Sequence, residues 1–108
     1  MIAEFVKFKL PSGMSRVDVL AAARETTAAW SANPELLRKH YLLDEQGYSY
    51  GFYLWTSRSA AEAAHGEAFR ARVREKFGSD PEFSYFDVLL NLDNLTGIVT
   101  EDLAATAR

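Results

Sequence analysis

The chain has no cysteine, which excludes disulfides, thiolate nucleophiles and cysteine-containing metal sites. It has no apolar run near the roughly 20 residues of a membrane span, and neither a basic n-region nor a long apolar h-region follows Met1. A soluble, cytoplasmic protein with no membrane partner is the expectation. Positive charge is not in excess: 12 basic residues face 15 acidic ones, a formal net charge of −3, so a nucleic-acid partner is not expected. Arg70, Arg72, Arg74 and Lys76 do cluster, but Glu67 and Glu75 sit among them, and the group reads as a solvated helix face. There is no glycine-rich phosphate loop, no Gly-x-Ser-x-Gly elbow and no His-Glu-x-x-His helix, which removes most support for nucleotide-dependent or hydrolytic chemistry. Internal repeats and low-complexity tracts are also lacking. At 108 residues the chain is one domain, able to bury roughly two thirds of its unfolded surface. A deep cavity would compete with that core for side chains, so a partner subunit is expected to help close any pocket.

What the chain does have is an aromatic strand running directly into a helix. Alternation over residues 50–55 puts Gly51, Tyr53 and Trp55 on one face and Tyr50, Phe52 and Leu54 on the other. Before it, residues 2–10 alternate as a first strand, with Val6, Phe8 and Leu10 on one side and Phe5, Lys7 and Lys9 on the other. Ser15 is placed to cap a first helix, with Asp18 in its first turn, and helical spacing continues to about Ser31 before Asn33-Pro34. Residues 36–43 form a second strand and residues 44–47 a hairpin connection into the third, at 48–56. Ser59 and Glu62 make a capping box for a second helix, with Ser57 as the alternative cap, Gly66 as a mid-helix kink and Gly78 as its stop. A fourth strand is expected over 83–90, a fifth strand or an arm toward a neighbouring subunit at Ile98-Val99, and a weakly helical end over 101–108.

The order β-α-β-β-α-β predicts an α+β, ferredoxin-like domain with two helices on one face of an antiparallel sheet. Phe5, Tyr41, Tyr53, Trp55 and Tyr85 are the candidates for the other face, an apolar area too large to leave in water. Two such sheets packed together give a homodimer with a cavity on each side.

With that order in place, Leu37-Arg38-Lys39 on the second strand, Gly51-Phe52-Tyr53-Leu54-Trp55 on the third, Ser59-Ala60 at the helix start and Phe86-Asp87-Val88 on the fourth carry a resemblance. The chain resembles the dimeric α/β-barrel superfamily, and within it the YdhR-like and antibiotic-biosynthesis monooxygenases, over nearly its whole length to about Asn94. The resemblance implies a ferredoxin-like homodimer whose cavity binds a small aromatic or polyketide-like molecule. It also implies oxygen chemistry without metal or flavin, the activated substrate supplying the electrons. In haem-degrading relatives a helical histidine is the axial ligand, but the asparagine those enzymes place on the first strand has no counterpart in residues 2–10, so no cofactor is expected.

Each candidate residue has a chemical and a packing reading. Trp55 can stack on a planar substrate and aim its indole N–H at an oxyanion or peroxy group, or fill the core. His65 is the natural general base near neutral pH, a role the antibiotic-biosynthesis relatives suggest, or a helix-surface residue. Asp87 can deprotonate or orient, or pair with a basic neighbour. Tyr41, Tyr53 and Tyr85 can donate to a developing phenolate, and Phe5 can help line the cavity. Lys39 and Lys7 can hold an anionic substrate, with an exposed edge strand as the alternative for Lys7. His40 faces away from Lys39 and Tyr41, and two isolated histidines make no metal site. A cofactor-independent monooxygenase is the leading reading. A cyclase or dehydratase working in the same cavity, and a barrel that binds without reacting, are the alternatives.

Overall fold

A computed structural model describes residues 1–101. Strand β1 (Ile2–Lys9) leads into helix α1 (Arg16–Arg24) and a short helix α2 (Thr27–Ser31). Strands β2 (Leu36–Leu43) and β3 (Tyr48–Trp55) follow, then helices α3 (Arg58–Ala64) and α4 (Glu67–Phe77) and strand β4 (Glu82–Asp87). A two-stranded hairpin, β5 (Leu90–Asp93) with β6 (Ile98–Glu101), completes the described chain. With each helix pair counted as one broken helix, this is the expected ferredoxin-like order, and the main sheet is antiparallel with strand order β2-β3-β1-β4. Among the described residues no helix is long and apolar enough to cross a membrane.

Both helical segments break for local reasons. Ser15 caps α1 as expected, with Asp18 returning the bond in a full capping box. The single helix expected to reach Ser31 is interrupted at Glu25 and Thr26, where the Thr26 and Thr27 hydroxyls donate to the carbonyls of Ala23 and Arg24 and compete with the helical ladder. The second helix is capped by Ser57, whose hydroxyl accepts from the Ala60 amide, while Glu62 pairs with Arg58 and leaves the Ser59 box unused. Gly66 does interrupt it and becomes the cap of α4, and Gly78 ends α4 at φ 76°. The fourth strand stops at Asp87, earlier than expected, because the chain turns into a separate hairpin in which Ile98 and Val99 pair with Asp93 and Leu92. Glu101 lies in β6, and the remainder of the expected terminal helix, 102–108, falls outside the described residues.

Register corrects the assignment of sheet faces. Ile2 pairs with Trp55, Glu4 with Tyr53 and Tyr85, and Lys39 with Tyr53, so Tyr41, Tyr53, Trp55 and Tyr85 lie on the helix-covered face. Of the five residues expected on the uncovered face, only Phe5 is there, with Phe52 and Phe86 at ring-centroid distances of 5.3 and 6.3 Å. Alternation along β3 offered two faces both rich in aromatic residues, and the helices cover the one that carries Gly51, Tyr53 and Trp55. Trp55, Tyr53, Val6, Ile2 and Ala61 form the buried core on that side.

Helix α1 contributes no buried residue. It stands off the inner half of the sheet, and this separation creates the main cavity of the molecule.

Candidate active site

The cavity is a cleft of about 870 Å³ between the helices and the Lys9 end of β1. Its floor is Val6, Phe8, Gly51 and Tyr53, and its helical wall includes Leu20, Trp30, Phe69 and Phe77. Gly51 is there for space. A Cβ at that position would lie 2.5 Å from Cε1 of Tyr53, so only glycine lets the phenol ring fold down along its own strand.

Behind Tyr53 sits a fully buried carboxylate. Glu4 projects from the middle of β1 into the core and is 0 % exposed, beside Trp55 at 0 % and His65 at 2 %. A carboxylate so placed costs several kcal/mol unless donors surround it. Here the Trp55 indole N–H donates to Oε1 over 2.8 Å, and His65 Nδ1 lies 2.9 Å from Oε1 and 3.0 Å from Oε2. Tyr85 stands opposite Glu4 in the β1–β4 pair, and burial followed by the Glu4 charge pushes its phenol up to about 12. Because the carboxylate accepts, His65 carries a proton on Nδ1, and its Nε2 finds no hydrogen-bond partner among the described residues. Around that imidazole stand Phe69 at 4.4 Å, Tyr53 at 4.6 Å and Trp30 at 5.3 Å between ring centroids.

Lys39 comes from β2 and reaches over the cleft wall. Its Nζ is 4.0 Å from the ring centroid of Tyr41 and 4.5 Å from those of Trp30 and Tyr53, a three-sided aromatic enclosure. Among the described residues no carboxylate reaches ion-pair distance of it. Burial pushes its ammonium down to about 7, against a smaller upward pull from the Glu4 charge. The Tyr53 phenol is driven upward, first by burial and then by Glu4, and stays protonated. Tyr41 exchanges a 2.8 Å hydrogen bond with the Thr26 hydroxyl, which ties β2 to the start of α2.

The fold therefore divides the sequence-derived candidates. Lys39, Tyr41 and Tyr53 line the cleft together. Trp55 and His65 lie one layer deeper, with Trp55 stacked on Tyr53 at 5.8 Å and 10°, and Tyr85 joins them at Glu4. Asp87 pairs with Ile2 at the opposite end of the sheet, exposed and away from the cleft. Phe5 and Lys7 are on the outer face, where Lys7 Nζ lies 4.4 Å from the Tyr48 ring centroid. His40 is on that face as well, beside Phe52. Glu4 and Trp30 are the residues that sequence reading missed. A signal for Glu4 was present: it is the one charged residue in register with Ile2, Val6, Phe8 and Leu10. Among the described residues no group of three or more metal-ligating side chains converges.

The fold is similar to that of antibiotic biosynthesis monooxygenases of known structure. One such enzyme superimposes with a TM-score of 0.63 at 17% identity, over 82% of this chain and 98% of that one. SnoaB, described as a cofactor-independent oxygenase from Streptomyces nogalater, matches with a TM-score of 0.62 at 14% identity, over 86% and 97%. The ActVA-Orf6 monooxygenase of Streptomyces coelicolor, in complex with nanaomycin D, matches with a TM-score of 0.60 at 17% identity, over 81% and 86%. At these identities the likeness is one of fold. No family profile and no curated protein matches the chain.

Proposed function

We propose that the protein is a monooxygenase that oxidises a planar, electron-rich aromatic or polyketide-like molecule in the cleft, using molecular oxygen and no bound cofactor. The observation that carries this reading is the placement of Lys39, an enclosed amine without an ion-pair partner among the described residues, on the wall of an apolar cleft of about 870 Å³. The fold it shares with SnoaB, described as cofactor-independent, supports the absence of a cofactor.

The chemistry follows from that amine. With its acidity near neutral pH, Lys39 takes a proton from an acidic C–H or phenol of the substrate and then holds the resulting anion as an ammonium. Tyr53, kept protonated, donates to the same oxygen. The anion gives electrons to oxygen, a C–O bond forms, and the peroxide O–O bond breaks. For a ring-flanked methylene, one oxygen atom stays as a carbonyl and the other leaves as water with the two protons lost from carbon. Glu4, Trp55 and His65 act from behind as positioning residues, fixing Tyr53 and placing a negative charge near Lys39.

The uncovered face supports a homodimer. Phe86 is 55 % exposed there, and the hairpin adds Leu90, Leu92, Ile98 and Val99, all more than half exposed. The Arg38–Asp93 ion pair, 3.6 Å, ties the hairpin to β2.

Oxygen uptake with a planar aromatic hydroquinone or ring-flanked methylene compound tests the reading. Uptake of one oxygen molecule per product, abolished by Lys39→Met, is expected. Turnover at an equal rate without oxygen would assign the cleft to cyclase or dehydratase chemistry, and binding without turnover would leave a binding protein.

A further inference from the structure

Lys39 has a property that the oxygen chemistry does not exhaust. Its Nζ sits within 4.0 to 4.5 Å of three ring centroids, those of Tyr41, Trp30 and Tyr53, and it lines both the main cleft and a smaller depression of about 270 Å³ beside β2. The other lysines are differently placed. Lys76 is ion-paired with Glu25 at 2.8 Å, and Lys7 and Lys9 lie over Tyr48 on the outer face of the sheet. An amine that is desolvated and unpaired spends a larger share of its time with a free electron pair, the state in which nitrogen attacks a carbonyl carbon.

We infer that Lys39 is a covalent capture site for planar aromatic aldehydes and ketones, which it binds as an imine. The Nζ electron pair forms the N–C bond, giving a carbinolamine. The carbonyl oxygen then leaves as water, carrying both amine protons that remain after neutralisation, and a C=N bond remains. No oxidant or reductant is consumed, and water reverses the step. The phenols of Tyr41 and Tyr53, whose ring centroids lie 4.0 and 4.5 Å from Nζ, are the proton donors beside the departing oxygen. The three rings that enclose the amine also supply flat apolar surfaces for an aromatic carbonyl compound, and the cleft's second lysine, Lys76, is held as an ammonium by its ion pair with Glu25. Lowered basicity from burial acts in the same direction. The inference requires that the cleft admit a planar aromatic, and it is independent of the oxygen chemistry.

The test uses the full chain at pH 7 under nitrogen, with 2-naphthaldehyde and cyanoborohydride to reduce any imine to a stable secondary amine. Intact-mass and peptide-mapping measurements then locate the adduct. The expected result is a single naphthylmethyl group on Lys39, formed at least ten times faster than on Lys7, Lys9 or Lys76, absent in Lys39→Arg and slowed by 2-naphthol. Equal labelling of the lysines, or no labelling of Lys39, overturns the inference. Should Lys39→Arg not fold, the distribution of label over the native chain decides by itself. Because oxygen is excluded, a failed oxygen-uptake assay and a failed labelling experiment remain distinguishable.

Discussion

The carboxylate of Glu4 and the indole of Trp55 are joined by a 2.8 Å hydrogen bond across 51 residues of sequence, with both side chains wholly buried. This bond pins the centre of β1 to the end of β3, and His65 closes the network from the junction of α3 and α4. The network explains why a carboxylate is tolerated in the core. It also holds the stack of Trp55 on Tyr53 from which the cleft wall is built.

Removing Glu4 should therefore be far more damaging than trimming an apolar neighbour. Glu4→Ala leaves the Trp55 N–H and the His65 Nδ1–H without an acceptor, and a loss of about 3–5 kcal/mol is expected. Glu4→Gln keeps one acceptor oxygen and is expected to lose about 1–3 kcal/mol. Urea denaturation of the two variants checks the order, and equal midpoints with the parent would remove the network from the account.

Lys39 sets a pH dependence with a definite sign. Below pH about 7 the folded and unfolded chains both carry the ammonium, and the folded state bears the full cost of burying it. Between about 7 and the ordinary value of 10.5 the unfolded chain binds more protons, so the stability of the native protein rises with pH, and above 10.5 the penalty is gone. Lys39→Met abolishes this dependence. Its stability advantage over the parent should be largest near pH 6.5 and shrink by pH 9.5, as read from paired urea titrations.

How much of this was legible in the sequence depends on which residues are asked about. The element order, the Ser15 cap and the stop at Gly78 follow from local chemistry, and local chemistry is what the chain spells out. The faces of the sheet do not. Both sides of β3 are aromatic, and the choice between them is made by the helices, through contacts such as Trp30 with Tyr53 at 5.2 Å that join distant parts of the chain. Lys39 and Tyr53 were both candidates for a cavity lining, but the facing of the second strand was open until the register set them opposite each other. Glu4 was passed over because an isolated carboxylate in a strand reads as solvent-exposed until its donors, 51 and 61 residues away, are known.

Gly51 is expected to be intolerant of even one methyl group. Gly51→Ala pushes against the Tyr53 ring, which Trp30, Trp55 and His65 hold in place, so the ring must shift toward the cleft. Overpacking of this kind costs about 1–3 kcal/mol. Thermal melting reports the loss, and weaker binding of a planar aromatic ligand reports the narrowed cleft. Unchanged melting with unchanged binding would mean that the ring relocates freely.

The two serines at the head of α3 should behave differently. Ser57→Ala removes the acceptor for the Ala60 amide and is expected to cost about 1 kcal/mol, whereas Ser59→Ala removes only a 3.2 Å contact with the Ser57 hydroxyl and should stay near neutral. Melting curves of the pair decide which residue caps the helix.

If the protein acts as proposed, its working cavity lies between the sheet and the helices, on the Lys39 and Tyr53 side. A crystal structure of the protein soaked with a planar aromatic hydroquinone tests this most directly. The expected result is the ring lying against Tyr53 and Trp30, with an oxygen within hydrogen-bond reach of Lys39 Nζ. A ligand found on the opposite face, among Phe5, Phe52 and Phe86, with the inner cleft empty, would contradict it.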